Sequence, residues 1–217
     1  PYELHKGDTD QAIDEIVDEL IHLFENGGYQ KSKVIYQKMI RRLKQVEQDR
    51  SVQKIRVGIV GEIYMKYSPL GNNNLEGFEP VLSGVMDFML YCLENGLIDY
   101  EYYHMHKNTR WIYSIGKDVI MRMQKTFRNA IRKDGTFLEP DDFEEVIRNG
   151  KPFINPGVKM GEGWLLTSEV VTLIKSGVNN VISAQPFGCL PNHIVAKGMV
   201  HKIKEQYPNA NVVAIDY

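Results

Sequence analysis

Cysteine is scarce in this sequence, with two residues, Cys92 and Cys189, in a chain of 217. Two thiols cannot build a disulfide framework, and they cannot by themselves supply a four-cysteine zinc or iron–sulfur site. Such sparse cysteine fits a reducing compartment, so a cytoplasmic location is expected. An excess of one charge is also lacking. Lys and Arg number 26 against 28 Asp and Glu, for a formal net charge of -2. No cationic surplus is left to track phosphates, so nucleic acid is not expected as a partner. No apolar run approaches the roughly 20 residues of a membrane-spanning helix, and no leader segment is visible. A membrane is therefore not expected as a partner either. Neither G-x-G-x-x-G nor G-x-x-x-x-G-K-[ST] occurs, which removes the two best-defined phosphate-cradling loops. Internal repeats and low-complexity stretches are absent.

What remains is an ordinary globular composition, 43% hydrophobic and 25% charged. Its apolar pattern alternates between the helical and the strand period. Residues 8–26 read as a helix capped by Asp8, Thr9 or Asp10. Residues 29–49 read as a second helix, with a basic face of Lys31, Lys33, Lys38, Arg41, Arg42 and Lys44. That face is expected to be solvated, an acidic partner being the alternative. Residues 55–60 form a buried strand that runs into Gly61-Glu62. A helix is expected over 79–95, closed by Gly96, and a second strand over 98–103. Helices follow over 111–133, 140–149 and from Gly161-Glu162-Gly163-Trp164 to Lys175. A third strand is expected over 178–184, a helix over 191–206 and a fourth strand over 212–215.

Strands separated by helices predict an α/β fold: a Rossmann-like parallel sheet of about four strands in the order 2-1-3-4, with helices on both faces. An N-terminal helical annex over 1–50 precedes this domain over 51–217. The last strand lacks a covering helix, so a fragment of a larger protein, its C-terminal helix missing, is expected. In the order 2-1-3-4 the loops after the first and third strands meet at the topological switch point. Those loops are Gly61-Glu62 and Gln185-Pro-Phe-Gly-Cys-Leu-Pro-Asn-His193. They are the first place to look for a site.

Cys189 is the leading candidate. It stands between a strand end and a helix start, where backbone N–H groups favour anions. A thiolate there suits metal ligation or nucleophilic attack; the competing reading is a small residue buried in a tight turn. Gly188 lets the backbone approach a ligand closely, and His193 is placed to donate to an anion. Glu62 is either a site carboxylate or a helix cap. Glu162 offers a carboxylate at a glycine-rich helix entry, with Trp164 expected in the core. Asn73, within Asn72-Asn73-Asn74, offers an amide, although such runs are also common turns. His104 and His106 form a pair without a third metal ligand. Cys92 is expected in the core.

Five segments together resemble one family. They are Val60-Gly61-Glu62-Ile63, Asn72-Asn73-Asn74, Gly161-Glu162-Gly163-Trp164-Leu165-Leu166, Gln185 to His193, and Ala214-Ile215-Asp216-Tyr217. The family is the large activase-related proteins of the 2-hydroxyacyl-CoA dehydratase system, the 2-hydroxyglutaryl-CoA dehydratase activators, in their dehydratase-subunit-like C-terminal region. The string Gln185 to His193 is the specific element. The resemblance implies that Cys189 helps to hold a [4Fe–4S] cluster used for electron transfer or radical dehydration. Gly61, Glu62, Asn73, Glu162, Gln185, Gly188 and His193 are the candidate ligand-binding residues, from their places in these loops and turns. Other domains of the same larger protein are the implied partners, and acyl-CoA is a further one. The chain departs from the family pattern in lacking the other cluster cysteines and an ATP-binding phosphate loop. Alone it is expected to be neither an ATPase nor a complete dehydratase. The alternative is a non-catalytic, Rossmann-like module that binds CoA, a nucleotide or another domain.

Overall fold

A computed structural model describes residues 2–27, 32–68 and 78–217. Contacts divide the chain into two units, Pro1–Gln53 with Arg122–Pro140, and Lys54–Met121 with Asp141–Tyr217. The first unit thus takes in Arg122–Pro140 in addition to the N-terminal helices. The long helix α5 (Arg110–Asp134) runs through both units.

In the first unit, α1 (Asp8–Glu25) buries Ala12 and Ile16. Its N-cap is Gly7, in left-handed geometry, and no side chain of Asp8, Thr9 or Asp10 caps it. The free N–H groups of the first turn are served instead by Glu3, whose carboxylate accepts from Gly7 N–H at 3.0 Å and Thr9 N–H at 2.9 Å. Those bonds, the one from Gly7 first, hold Glu3 down at about 2. Helix α2 (Ser32–Lys44) is tied to α1 by the ion pairs Lys38–Glu19 and Arg42–Glu15. Tyr36 on α2 meets Phe127 on α5 edge to face, with ring centroids 5.1 Å apart.

The second unit is built on four parallel strands, β1 (Arg56–Gly61), β2 (Glu79–Leu82), β3 (Asn180–Gln185) and β4 (Asn211–Asp216), in the spatial order β2-β1-β3-β4. The expected order holds, but its second strand is a different segment. Residues 98–103 are the end of helix α4 (Val85–Tyr103), and the strand lies at Glu79–Leu82, where a helix was expected to start. Pro80 is tolerated because β2 is an edge strand, where a missing N–H need not break a ladder.

One face of the sheet supports an apolar cluster that includes Val60, Val170, Val171, Val181, Ile203 and Val212. Helix α7 (Trp164–Lys175) accounts for much of this, since Trp164 to Ile174 are all buried. It packs against α6 (Phe143–Gly150), where Gly150 is required by closeness: a Cβ there would stand 1.8 Å from Ser168 Oγ. The expected helix over 191–206 is broken into α8 (Leu190–Val195), a 3-10 turn and α9 (Val200–Gln206). A short α3 (Ile63–Tyr67) follows β1 directly. Among the described residues no helix is long and apolar enough to cross a membrane.

Candidate functional site

Parallel pairing brings the carboxyl ends of β1 and β3 together, with Gly61 opposite Ala184. Gly61 has φ +139°, and a Cβ there would stand 1.9 Å from the Ala184 carbonyl oxygen. Only glycine meets both conditions. The next residue extends the link, Glu62 N–H donating to Ala184 O at 3.2 Å. The Glu62 side chain then turns back as the N-cap of α3, accepting from Met65 N–H at 3.1 Å. Of the two readings of Glu62, capping is the one the geometry displays.

The loop after β3 is shaped by a tight turn. Cys189 N–H donates to Pro186 O at 3.1 Å, and Gly188 supplies the positive φ of +77°. Cys189 is the N-cap of α8, is half-buried, and is a free thiol. Its Sγ accepts a hydrogen bond from the Asn192 side-chain amide at 3.1 Å. Helix α8 has only six residues, so the anion-favouring field expected from a long helix is reduced here. The loop is moored to the last strand by two backbone bonds: Tyr217 N–H to Gln185 O and Phe187 N–H to Tyr217 O, both 2.9 Å.

Gln185 is fully buried and organises the polar side of this loop. Its Nε2 donates to Asp216 Oδ1 at 2.6 Å and lies 3.3 Å from His193 Nε2. His193 Nδ1 lies 2.8 Å from Cys189 O. A carbonyl oxygen only accepts, so Nδ1 carries the hydrogen and neutral His193 receives the second Gln185 proton at Nε2. When protonated, the ring can pair with Asp216 Oδ1, 3.2 Å away. The Gln185 bond, helped by Lys197 and His193, holds Asp216 below the ordinary carboxylate range. Because His193 turns Nδ1 to a carbonyl and Nε2 to the Gln185–Asp216 pair, it is not arranged as a general base for Cys189.

Glu162 enters from a third segment. Gly161 abuts Pro191, since a Cβ at Gly161 would stand 3.1 Å from the Pro191 ring. Burial holds Glu162 above the ordinary carboxylate range, and the charges of Glu62 and Glu169 add to the rise. Trp164 is in the core as expected, its indole N–H bonded to Asn95 Oδ1 at 3.1 Å. A small hollow beside β1 is lined by Gly61, Lys66, Glu162 and Glu169 among others. Gly61, Glu62 and Glu162 are thus gathered on one side of the β1–β3 junction, and Gln185, Gly188, Cys189 and His193 on the β3–α8 side. Asn73 lies outside the described residues.

Two features escaped the sequence reading. One is the role of Asp216, named there only within a terminal string, whose position beside Gln185 follows from β3–β4 register. The other is an ion pair between Lys66 and Glu169, with N–O distances of 2.8 and 3.0 Å and side chains only 5% and 3% exposed. Ser83 Oγ joins both, and Tyr67 donates to Ser83 O at 2.6 Å. Burial opposes the Lys66 charge, but Glu169 and Tyr67 outweigh it and hold the ammonium above its ordinary value. Glu169 on a helix whose Leu165, Leu166, Val170, Val171, Leu173 and Ile174 read as core was the available signal, because an unpaired carboxylate cannot be buried there cheaply.

Other candidates separate from this place. His104 and His106 occupy left-handed turn positions at φ 56° and 57° after α4. Cys92 is exposed on α4 and not in the core. Among the described residues, no group of three or more His, Cys, Asp and Glu is arranged to hold a metal ion. No family model, curated protein or solved structure matches this chain.

Proposed function

We propose that the chain is a module of a 2-hydroxyacyl-CoA dehydratase or activase-type protein, in which Cys189 supplies one thiolate to a [4Fe–4S] cluster. The observation that carries this reading is the setting of Cys189 Sγ. It stands on a tight glycine turn, half-buried, accepting one hydrogen bond from the buried Asn192 amide. Donors to sulfur of this kind tune iron–sulfur ligands.

The residues fit one corner of a cluster and not a whole one. The loop has a single thiol, and Cys92 is on α4. The remaining ligands would come from other domains of the same larger protein. When bound, the cluster would supply single-electron chemistry. The residues of this chain would orient the thiolate through Asn192, hold the loop through Gln185 and Asp216, and keep the β1–β3 junction closed through Gly61. The chain by itself is then neither a dehydratase nor an ATPase. The free state of both cysteines agrees with a cytoplasmic setting.

A second reading has one observation in its favour. Phe187 and Leu190, on either side of Cys189, are 85% and 68% exposed. An apolar loop tip of this kind suits a module that docks another domain or binds a CoA-like ligand without catalysis.

Anaerobic reconstitution of the full-length protein with iron and sulfide separates the two. The cluster reading expects Cys189→Ala to lower iron content and change the visible and EPR spectra, with Cys92→Ala unchanged. Identical iron and spectra in Cys189→Ala would remove it. Heat on titration with acyl-CoA, without any cluster, would favour the binding module.

A further inference from the structure

We propose that the groove between α2 and the C-terminal half of α5, within the first unit, binds a small ligand carrying a chain of phosphates. Two hollows of about 440 and 490 Å³ lie there and share Gln37, Ala130 and Lys133 as walls. Their volumes fall in the range of small-molecule sites. The larger of the two reaches the Lys44–Asp134 ion pair at 3.0 Å.

The charge lining this groove is one-sided. Arg122, Lys125 and Lys133 come from α5, and Arg41 and Lys44 from α2. Asp134 is the one acid among the lining residues, and it is taken by Lys44. Among the described residues Arg41, Arg122, Lys125 and Lys133 have no carboxylate within ion-pair distance. The contrast with the rest of α2 is direct: Lys38 and Arg42 are matched by Glu19 and Glu15 of α1. On the basic face read from sequence as solvated, Lys38, Arg42 and Lys44 are thus neutralised, and Arg41 is left to join the three cations of α5.

Those cations are spread along the helix. Arg122 to Lys133 spans eleven residues of α5, about 16 Å at 1.5 Å per residue. A single carboxylate would leave most of this strip unused, whereas two or three linked phosphates would engage it. Arg41 and Arg122 supply the forked donors that match phosphate oxygens. Gln37 and Asn129 add neutral donors, and Ile40 with Ala130 offers an apolar wall for a non-phosphate portion.

The test is calorimetry on the intact chain with inorganic triphosphate, ATP and adenosine, at low and at elevated salt. Triphosphate and ATP should bind, adenosine should not, and salt should weaken both. Arg122→Ala with Lys125→Ala, both at exposed positions, should weaken binding at least tenfold while circular dichroism stays unchanged. Lys133→Glu should do the same, and Cys189→Ala should leave binding intact. Failure of both phosphate probes to bind overturns the proposal. So does undiminished binding in the double variant, which places the phosphates elsewhere. Binding of a single-stranded oligonucleotide without binding of ATP or triphosphate also overturns it, in favour of a nucleic-acid surface.

Discussion

Gly61 and Ala184 are pressed together so tightly that no side chain fits between them. A Cβ on Gly61 would lie 1.9 Å from the Ala184 carbonyl oxygen, and the residue sits at φ +139°. Replacement by alanine must strain the backbone and part β1 from β3 at the point where both candidate loops leave the sheet. Gly61→Ala is expected to cost about 3 kcal/mol or more. Urea denaturation measures this; a loss under about 1 kcal/mol would mean the two strand ends separate freely.

The Lys66–Glu169 pair gives a second expectation. Removing one partner of a buried pair leaves the other charge without compensation, while removing both need not. Lys66→Met should destabilise by about 3–5 kcal/mol, and Lys66→Met with Glu169→Leu should recover much of that. Equal losses in the single and double variants, read from denaturation midpoints, would show that packing rather than charge is at stake.

Glu162 makes stability depend on pH. Its folded-state pKa is raised above the ordinary 4.5, by burial first and then by Glu62 and Glu169. A raised carboxyl contributes stability that is complete below 4.5 and is lost as pH climbs through the folded value. Glu162→Gln cannot ionise, so its stability relative to the native protein should improve as pH rises from about 4 toward neutrality. A difference between the two proteins that stays flat with pH would contradict the placement of Glu162.

His193 should show a defined tautomer. With Nδ1 at 2.8 Å from Cys189 O, the neutral ring carries its hydrogen there and leaves Nε2 bare toward Gln185. Nitrogen NMR of the ring distinguishes the two forms directly. A dominant Nε2–H signal would mean that the loop is held some other way.

Much of the α/β order was legible in the sequence because glycine and proline punctuate it and the apolar period changes between elements. The error over the second strand has a local cause. Gly96 reads as a helix stop, and Ile98 to Tyr103 reads as a strand beginning after it. In the fold Gly96 lies inside α4, where a Cβ would be 2.5 Å from the Tyr113 ring. It is there to admit an aromatic neighbour, a long-range requirement that no local pattern displays. The same limit hid the Lys66 partner, 103 residues away. The switch-point argument placed Gly61-Glu62 beside the β3 loop, because strand order alone dictates that neighbourhood. It could not tell that Glu62 caps α3, since capping depends on a helix of five residues, too short to leave a period.

The two edges of the sheet differ in what they invite. On one side stands β2, four residues long, with Pro80 lacking an N–H. On the other stands β4, six residues long, with no strand among the described residues paired beyond it. A short, proline-bearing margin is a poor template for strand addition, whereas an uninterrupted one permits it. Among the described residues β4 is therefore the margin less protected against strand addition, and it is the strand that carries Asp216 beside the Cys189 loop.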